Sequence, residues 1–267
     1  MFLAKKSFRK ILIMAICYFI LGSISISFWG VFNSMGTGEN FLLYLGIIVY
    51  LLGILMAFWG RYAEGKGKLI NLGNRLVRNE LKPAEFIREY VALKKSNELV
   101  VKKPSIEVLQ LVAVAYDSLD DRENALATVD EMIDVASDKR KAFANLFKTS
   151  FLFSYDMTEE AELLFDEVQK QKLDFICRSL VDAILKSDRA VAMGDYKTVA
   201  TYNLKMLERT FPKLDSLDKL VIHYKLGEVY EKLHDTEKAV TYYQYCATYG
   251  GETAIKKSAI EKIRDIK

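Results

Sequence analysis

The residues able to do covalent or metal chemistry are few in this 267-residue chain, and they are poorly spaced for it. Its three cysteines, Cys17, Cys177 and Cys246, form no C-x-x-C or other ligand-spaced set. They read as small buried apolar residues of a reducing compartment rather than as a disulfide or zinc framework. His223 and His234 are the only histidines, 11 residues apart, which is about 16 Å along a helix and too far to share a metal. Asp117, Asp120 and Asp121 crowd a predicted turn. They invite a calcium reading, but the segment lacks the central Gly and terminal Glu of an EF-hand loop, so helix capping and solvation are the expected roles. Glu159, Glu160 and Glu162 read as an exposed helix start. There is no G-x-x-x-x-G-K-S/T loop, G-x-S-x-G elbow or H-E-x-x-H pair. The expectation is a protein without catalytic residues, cofactor or metal site, and not an enzyme.

Charge is distributed unevenly. Between residues 11 and 60 the only charged side chain is Glu39. Residues 61–103 carry 11 Lys/Arg against 5 Asp/Glu, a net of +6, whereas residues 104–267 carry 23 against 29, a net of −6. An acidic distal region lacks the clustered basic face that nucleic acid requires, so no nucleic-acid partner is expected.

Residues 11–32 (ILIMAICYFILGSISISFWGVF) and 41–60 (FLLYLGIIVYLLGILMAFWG) are uncharged runs of 22 and 20 residues. Twenty helical residues cover about 30 Å, the thickness of a bilayer's hydrocarbon core. Trp29 and Trp59 fall near the run ends, where such rings sit at headgroups. The expectation is a two-helix transmembrane hairpin with a short external loop at 33–40. Lys5, Lys6, Arg9 and Lys10 precede it, Arg61, Lys66, Lys68, Arg75 and Arg78 follow it, and the loop has no cation. The positive-inside rule then places residues 1–10 and the distal domain in the cytoplasm, giving an integral, multi-pass plasma-membrane protein with both termini cytoplasmic. A cleaved signal peptide fits less well, because the first run is long and lacks an A-x-A-like site. Ser23, Ser27, Gly30, Gly46 and Gly53 are small enough to let the helices touch. No ionisable residue interrupts either run, so the pair reads as an anchor.

Residues 61–103 read as a basic helix-turn-helix, with Leu69, Leu72, Leu76 and Val77 at helical spacing and Pro83 in the first turn of a second helix with Phe86, Tyr90 and Leu93 on one face. Beyond Pro104 apolar residues recur at three and four, and the chain reads as all-α.

Within residues 104–251 the pattern repeats. Leu226-Gly227-x-x-Tyr230 is followed by Ala239-x-x-x-Tyr243, and Val112-Ala113-x-x-Tyr116 by Ala125-x-x-x-Val129. Ala161-x-x-x-Phe165 and Val199 continue the series, with Asp121, Thr158, Asp195 and Asp235 or Thr236 as cap candidates and Pro212 ending the third unit. With Ala125, Ala161, Val199 and Ala239 equivalent, the intervals are 36, 38 and 40. This resembles the tetratricopeptide repeat (TPR) family, with its L-G-x2-Y and A-x3-F signatures and a regular period of 34. His223 stands where the family's Trp would be and Gly251 where its Pro would be. The resemblance covers roughly residues 105–250 and implies a helical-repeat (α-solenoid) domain, closed by a capping helix at 252–267. A plain helical bundle is the alternative architecture.

In that family the first helices of successive pairs line a concave groove that holds a partner's peptide or helix. The resemblance therefore implies a groove built from Gln110, Val114, Asp117, Ser150, Phe153, Ile184, Asp188, Tyr224, Glu228 and Glu231. The set is apolar and acidic and lacks the Lys/Asn/Arg clamp by which some members grip a C-terminal carboxylate. A protein partner with a basic or amphipathic segment is expected, while packing between repeats is the competing role for several of these residues. The expected function is a membrane-anchored TPR-like adaptor or scaffold that binds a partner at the cytoplasmic face, with the lipid bilayer as second partner. The alternative is an accessory subunit of a membrane transport, secretion or envelope-assembly complex that uses the transmembrane helices as its interface.

Overall fold

The computed structural model describes residues 13, 16–27, 29, 41–95, 104–208 and 213–266. Their secondary structure is all helical. The chain divides into two compact units, Met1–Asn71 and Leu72–Lys267, so the boundary falls later than the end of the second apolar run.

In the first unit, α1 (residues 16–27) packs against α2 (Phe41–Gly73), whose last residues belong to the second unit. The contact is set by missing side chains. A β-carbon on Gly22 would stand 3.0 Å from the Gly46 carbonyl oxygen, and one on Gly46 would stand 2.6 Å from Cγ1 of Ile26. Phe19 meets Tyr50 edge-on at 4.3 Å. The hydroxyls of Ser23, Ser25 and Ser27 donate to carbonyls one turn back in their own helix. Cys17 is exposed, which corrects the expectation that it is buried. Ile20, Leu21, Ile48, Leu51 and Leu55 are exposed as well.

Among the described residues, no helix is long and apolar enough to cross a membrane. This overturns the expected two-span transmembrane hairpin and, with it, the multi-pass plasma-membrane localisation with cytoplasmic termini. Residues 1–10, most of the ends of the first run, and the 33–40 loop lie outside the described residues.

The second unit opens with a π-helical stretch, Asn74–Asn79, and α3 (Pro83–Lys95). Helix pairs follow: α4 (Ile106–Asp117) with α5 (Arg122–Val135), and α6 (Asp138–Ser154) with α7 (Thr158–Gln169). The third pair starts with α8 (Phe175–Ala183), which continues through a π-helical stretch, Ile184–Asp188, into α9 (Arg189–Ala192) and is followed by α10 (Tyr196–Leu207). The fourth joins α11 (Ser216–Lys232) to α12 (Thr236–Tyr249), and α13 (Ala254–Ile266) ends the chain. Pro212 lies outside the described residues.

One turn is used four times. Asp120, Asp156, Gly194 and His234 each take a positive φ, from 59° to 74°. The next residue's amide donates five residues back: Asp121 to Tyr116, Met157 to Leu152, Asp195 to Ala190, and Asp235 to Tyr230, all at 2.9–3.0 Å. This is the Schellman C-cap, which satisfies the last carbonyls of the first helix. In three cases that same residue caps the next helix, its carboxylate accepting from the amide of Asn124, Thr198 or Lys238. Met157 takes the cap position of α7 without a side-chain bond, and Thr158 lies inside the helix instead of capping it. Four residues after each cap stand Ala125, Ala161, Val199 and Ala239, all fully buried.

The core is a series of clusters, each shared between neighbouring pairs. The position seven residues before each left-handed residue holds Ala113, Thr149, Ser187 or Gly227, all small and buried, which lets the two helices of a pair approach closely. The ends of the unit also meet. The amide of Glu252 donates to the Leu81 carbonyl at 2.9 Å, and that of Ala254 donates to the Ser118 carbonyl at 2.8 Å. Gly251 (φ +56°) sits so close to Leu81 that a β-carbon would fall 2.6 Å from the leucine Cβ. Arg78 pairs with Asp215 at 3.0 Å and with Asp218 at 3.8 Å.

Candidate functional site

The repeated turn fixes a common register for the first helices, and the expected groove residues fall on three lines of it. Six residues before the left-handed residue stand Val114, Ser150, Asp188 and Glu228. Three before it stand Asp117, Phe153 and Glu231, and ten before it Gln110, Ile184 and Tyr224. Two cavities, of about 420 and 520 Å³, open along the first line. Val114, Asp117, Ser150 and Asp188 line the smaller, and Phe153, Asp188 and Glu228 line the larger.

The remaining candidates line neither cavity. Ile184 is 1% exposed and lies in the core, to which Phe153 also contributes. Tyr224 packs on Tyr243. Glu231 accepts from the Tyr243 hydroxyl at 2.8 Å and from Lys262 of α13 at 3.1 Å. Here the capping helix packs where the next first helix of an array would be, and these contacts are packing between units.

At the junction of the two cavities sits an ion pair that sequence reasoning missed. Lys225 donates to Asp188 and, at 3.0 Å, to the Ser187 hydroxyl, while Ser150 donates to the other Asp188 oxygen at 2.6 Å. Asp188 and Lys225 line both cavities. Asp188 closes the π-helical stretch, a one-residue expansion of the kind often found where a side chain must be re-aimed. Nothing in the apolar period at residues 184–188 announces it. Lys225 was detectable in principle, because it lies one turn before Glu228 on the same helix face.

Asp117 differs from Asp188. Its Oδ1 accepts from the Tyr155 hydroxyl at 2.7 Å, and among the described residues no Lys or Arg forms an ion pair with it. Burial raises its carboxyl above the ordinary value, against the lowering effect of the Tyr155 bond. Tyr155 is raised in turn by burial and by Asp117, and Arg122 lies 5.1 Å over its ring. Glu228 keeps an exposed edge, yet desolvation by its surroundings raises it too, against the attraction of Lys262 and Lys225. For Glu231 burial pushes up, but the bonds from Tyr243 and Lys262 outweigh it and hold the carboxyl below its usual range.

Burial pushes the Cys177 thiol up to about 11 and the Cys246 thiol up to about 12, so neither supplies a thiolate near neutral pH. Among the described residues no three His, Cys, Asp or Glu side chains converge as metal ligands. No family model, curated protein or solved structure matches the chain.

Proposed function

We propose that the second unit is a TPR-like repeat module that works as an adaptor, holding a segment of a partner protein against the inner line of its first helices. The observation that carries this reading is the shared register of Val114, Ser150, Asp188 and Glu228, which lines two adjoining cavities with side chains from successive pairs. Repeat modules present such rows because each unit adds one equivalent position to the surface.

Cavity size decides what enters. Two turns of helix about 10 Å across displace roughly 850 Å³, more than either cavity holds. Side chains of an extended segment fit either cavity. The two linings together carry five carboxylates and four cations, and residues 104–267 carry a net −6, so basic residues beside apolar anchors suit this face best. Charge steers the encounter and apolar burial holds the complex.

Selection of short peptides from a displayed random library against the full chain tests this. Enriched sequences should pair Lys or Arg with an aliphatic or aromatic residue, bind less tightly as salt rises, and lose affinity for a Glu228→Lys variant. Enrichment of acidic sequences, or of none, sinks the proposal, as does equal binding by the variant.

A further inference from the structure

We propose that the smaller cavity is a binding site for one ammonium or guanidinium group carried on an apolar stem, with Asp117 as the acceptor of its hydrogen bonds. The lining holds two cations, Arg78 and Lys225, and three carboxylates, Asp117, Asp188 and Asp218. Two of the carboxylates already have counter-ions: Lys225 pairs with Asp188, and Arg78 lies 3.8 Å from Asp218. Asp117 receives one neutral hydroxyl, from Tyr155. A carboxylate has about four acceptor positions, so most of its capacity remains for a donor arriving through the cavity. Much of the rest of the wall is apolar, including Val114, Phe147, Val221, Ile222 and Ile255. That surface takes a hydrocarbon stem and repels a small hydrated ion.

The class of cation follows from the donor set. A divalent metal needs several oxygen ligands at once, and among the described residues no such cluster exists. An ammonium or guanidinium instead needs one charged acceptor and an apolar channel for its stem, and both are present. An anion would meet a lining with one net negative charge. Two sources share this chemistry, a Lys or Arg side chain of the partner segment and a free organic amine. The first rests on the adaptor reading above, whereas the cavity's preference does not.

The test is carried out on the full chain by NMR, with labelled methyl groups of Val114 and Ile255 reporting from inside the cavity. Hexylammonium, Nα-acetyl-arginine amide and the neutral hexanol are titrated separately. At least one of the two cations should give saturable shifts at both residues, and hexanol should not. Asp117→Asn keeps the acceptor for Tyr155 and should weaken cation binding by about tenfold or more, the loss of a charge-assisted hydrogen bond. Asp166→Asn, on an exposed face of α7, should leave it unchanged. Saturation by hexylammonium assigns the site to free amines as well, whereas saturation by the arginine derivative alone assigns it to a peptide-borne side chain. Equal binding of hexanol, no saturable shift with either cation, or undiminished binding by a folded Asp117→Asn chain overturns the proposal. Cation binding without any enrichment of basic peptides would remove the adaptor reading and leave the cavity site standing.

Discussion

Gly227 lies against the ring of Tyr243 so closely that a β-carbon there would stand 2.5 Å from one ring carbon and 2.7 Å from the next. The ring cannot swing aside easily, because Tyr243 is fully buried and its hydroxyl is bonded to Glu231. Gly227→Leu should therefore destabilise the chain by about 1–3 kcal/mol through overpacking. Replacing the exposed Glu237 at the start of α12 by Ala should stay within about 0.5 kcal/mol. Denaturant melts of both variants check this, and equal midpoints would mean that the contact between α11 and α12 tolerates separation.

The ends of the second unit should loosen together. Arg78 is half-buried between Asp215 and Asp218, and removing it leaves two neighbouring carboxylates without their cation. Arg78→Ala should cost about 1–2 kcal/mol, between the values of exposed and buried pairs. The more specific readout is hydrogen exchange at the amides of Glu252 and Ala254, which bond to Leu81 and Ser118. Their exchange should accelerate in Arg78→Ala, and much less in Arg140→Ala, which breaks a more exposed pair with Glu107. Unchanged protection would show that the closure stands without the ion pair.

His223 stacks on Tyr245 at 3.7 Å with its rings nearly parallel, and its Nδ1 is buried without a partner. Burial, with Lys219 nearby, lowers its pKa from 6.5. Below 6.5 the unfolded chain takes up a proton that the folded chain resists, so this site's contribution to stability is lost as pH falls through that value. His223→Phe should keep the stacked ring and flatten the dependence of Tm on pH between about 7 and 5. An identical slope in both proteins would assign the dependence to other groups.

Much of the helical architecture was legible in the sequence, and the reason is local. An Asp cap with a small or apolar residue four positions later is a short-range signal, and it placed Ala125, Val199 and Ala239 at one point after one recurring turn; Ala161 shares that point although Met157 stands at its cap. Long-range relations were not legible. That Leu81 meets Gly251, or Ser118 meets Ala254, joins residues far apart in the chain, which no local period encodes. The π-helical stretches escaped because one inserted residue scarcely disturbs a period of 3.6. Among the candidate groove residues, Ile184 and Glu231 look the same on a helical wheel as Asp188 and Glu228. What separates them is the neighbouring element, core for Ile184 and α13 for Glu231. The apolar runs at 11–32 and 41–60 misled in another way. Hydropathy alone implied a membrane crossing, whereas among the described residues no helix has the length and apolarity for one.

Asp117 gives the clearest pH test. Its carboxyl is raised above 3.8 by burial, and the Tyr155 bond only partly opposes this. Between 3.8 and the folded value the folded chain binds the extra proton, so stability falls as pH rises through that window, and the cost persists at neutral pH. Asp117→Asn removes the charge and keeps an oxygen for the Tyr155 hydroxyl. The variant should melt above the parent near neutral pH, and the gap should shrink as pH falls through the window above 3.8 in which the folded parent takes up its proton. Thermal melts at several pH values read both effects. A variant less stable than the parent at pH 7, or a gap independent of pH, would mean that an unpaired ionised carboxylate at Asp117 imposes no cost. The same charge should also connect the melts to ligand binding. Saturating Nα-acetyl-arginine amide should raise the parent's Tm more than the variant's, since a ligand stabilises the folded state according to its affinity.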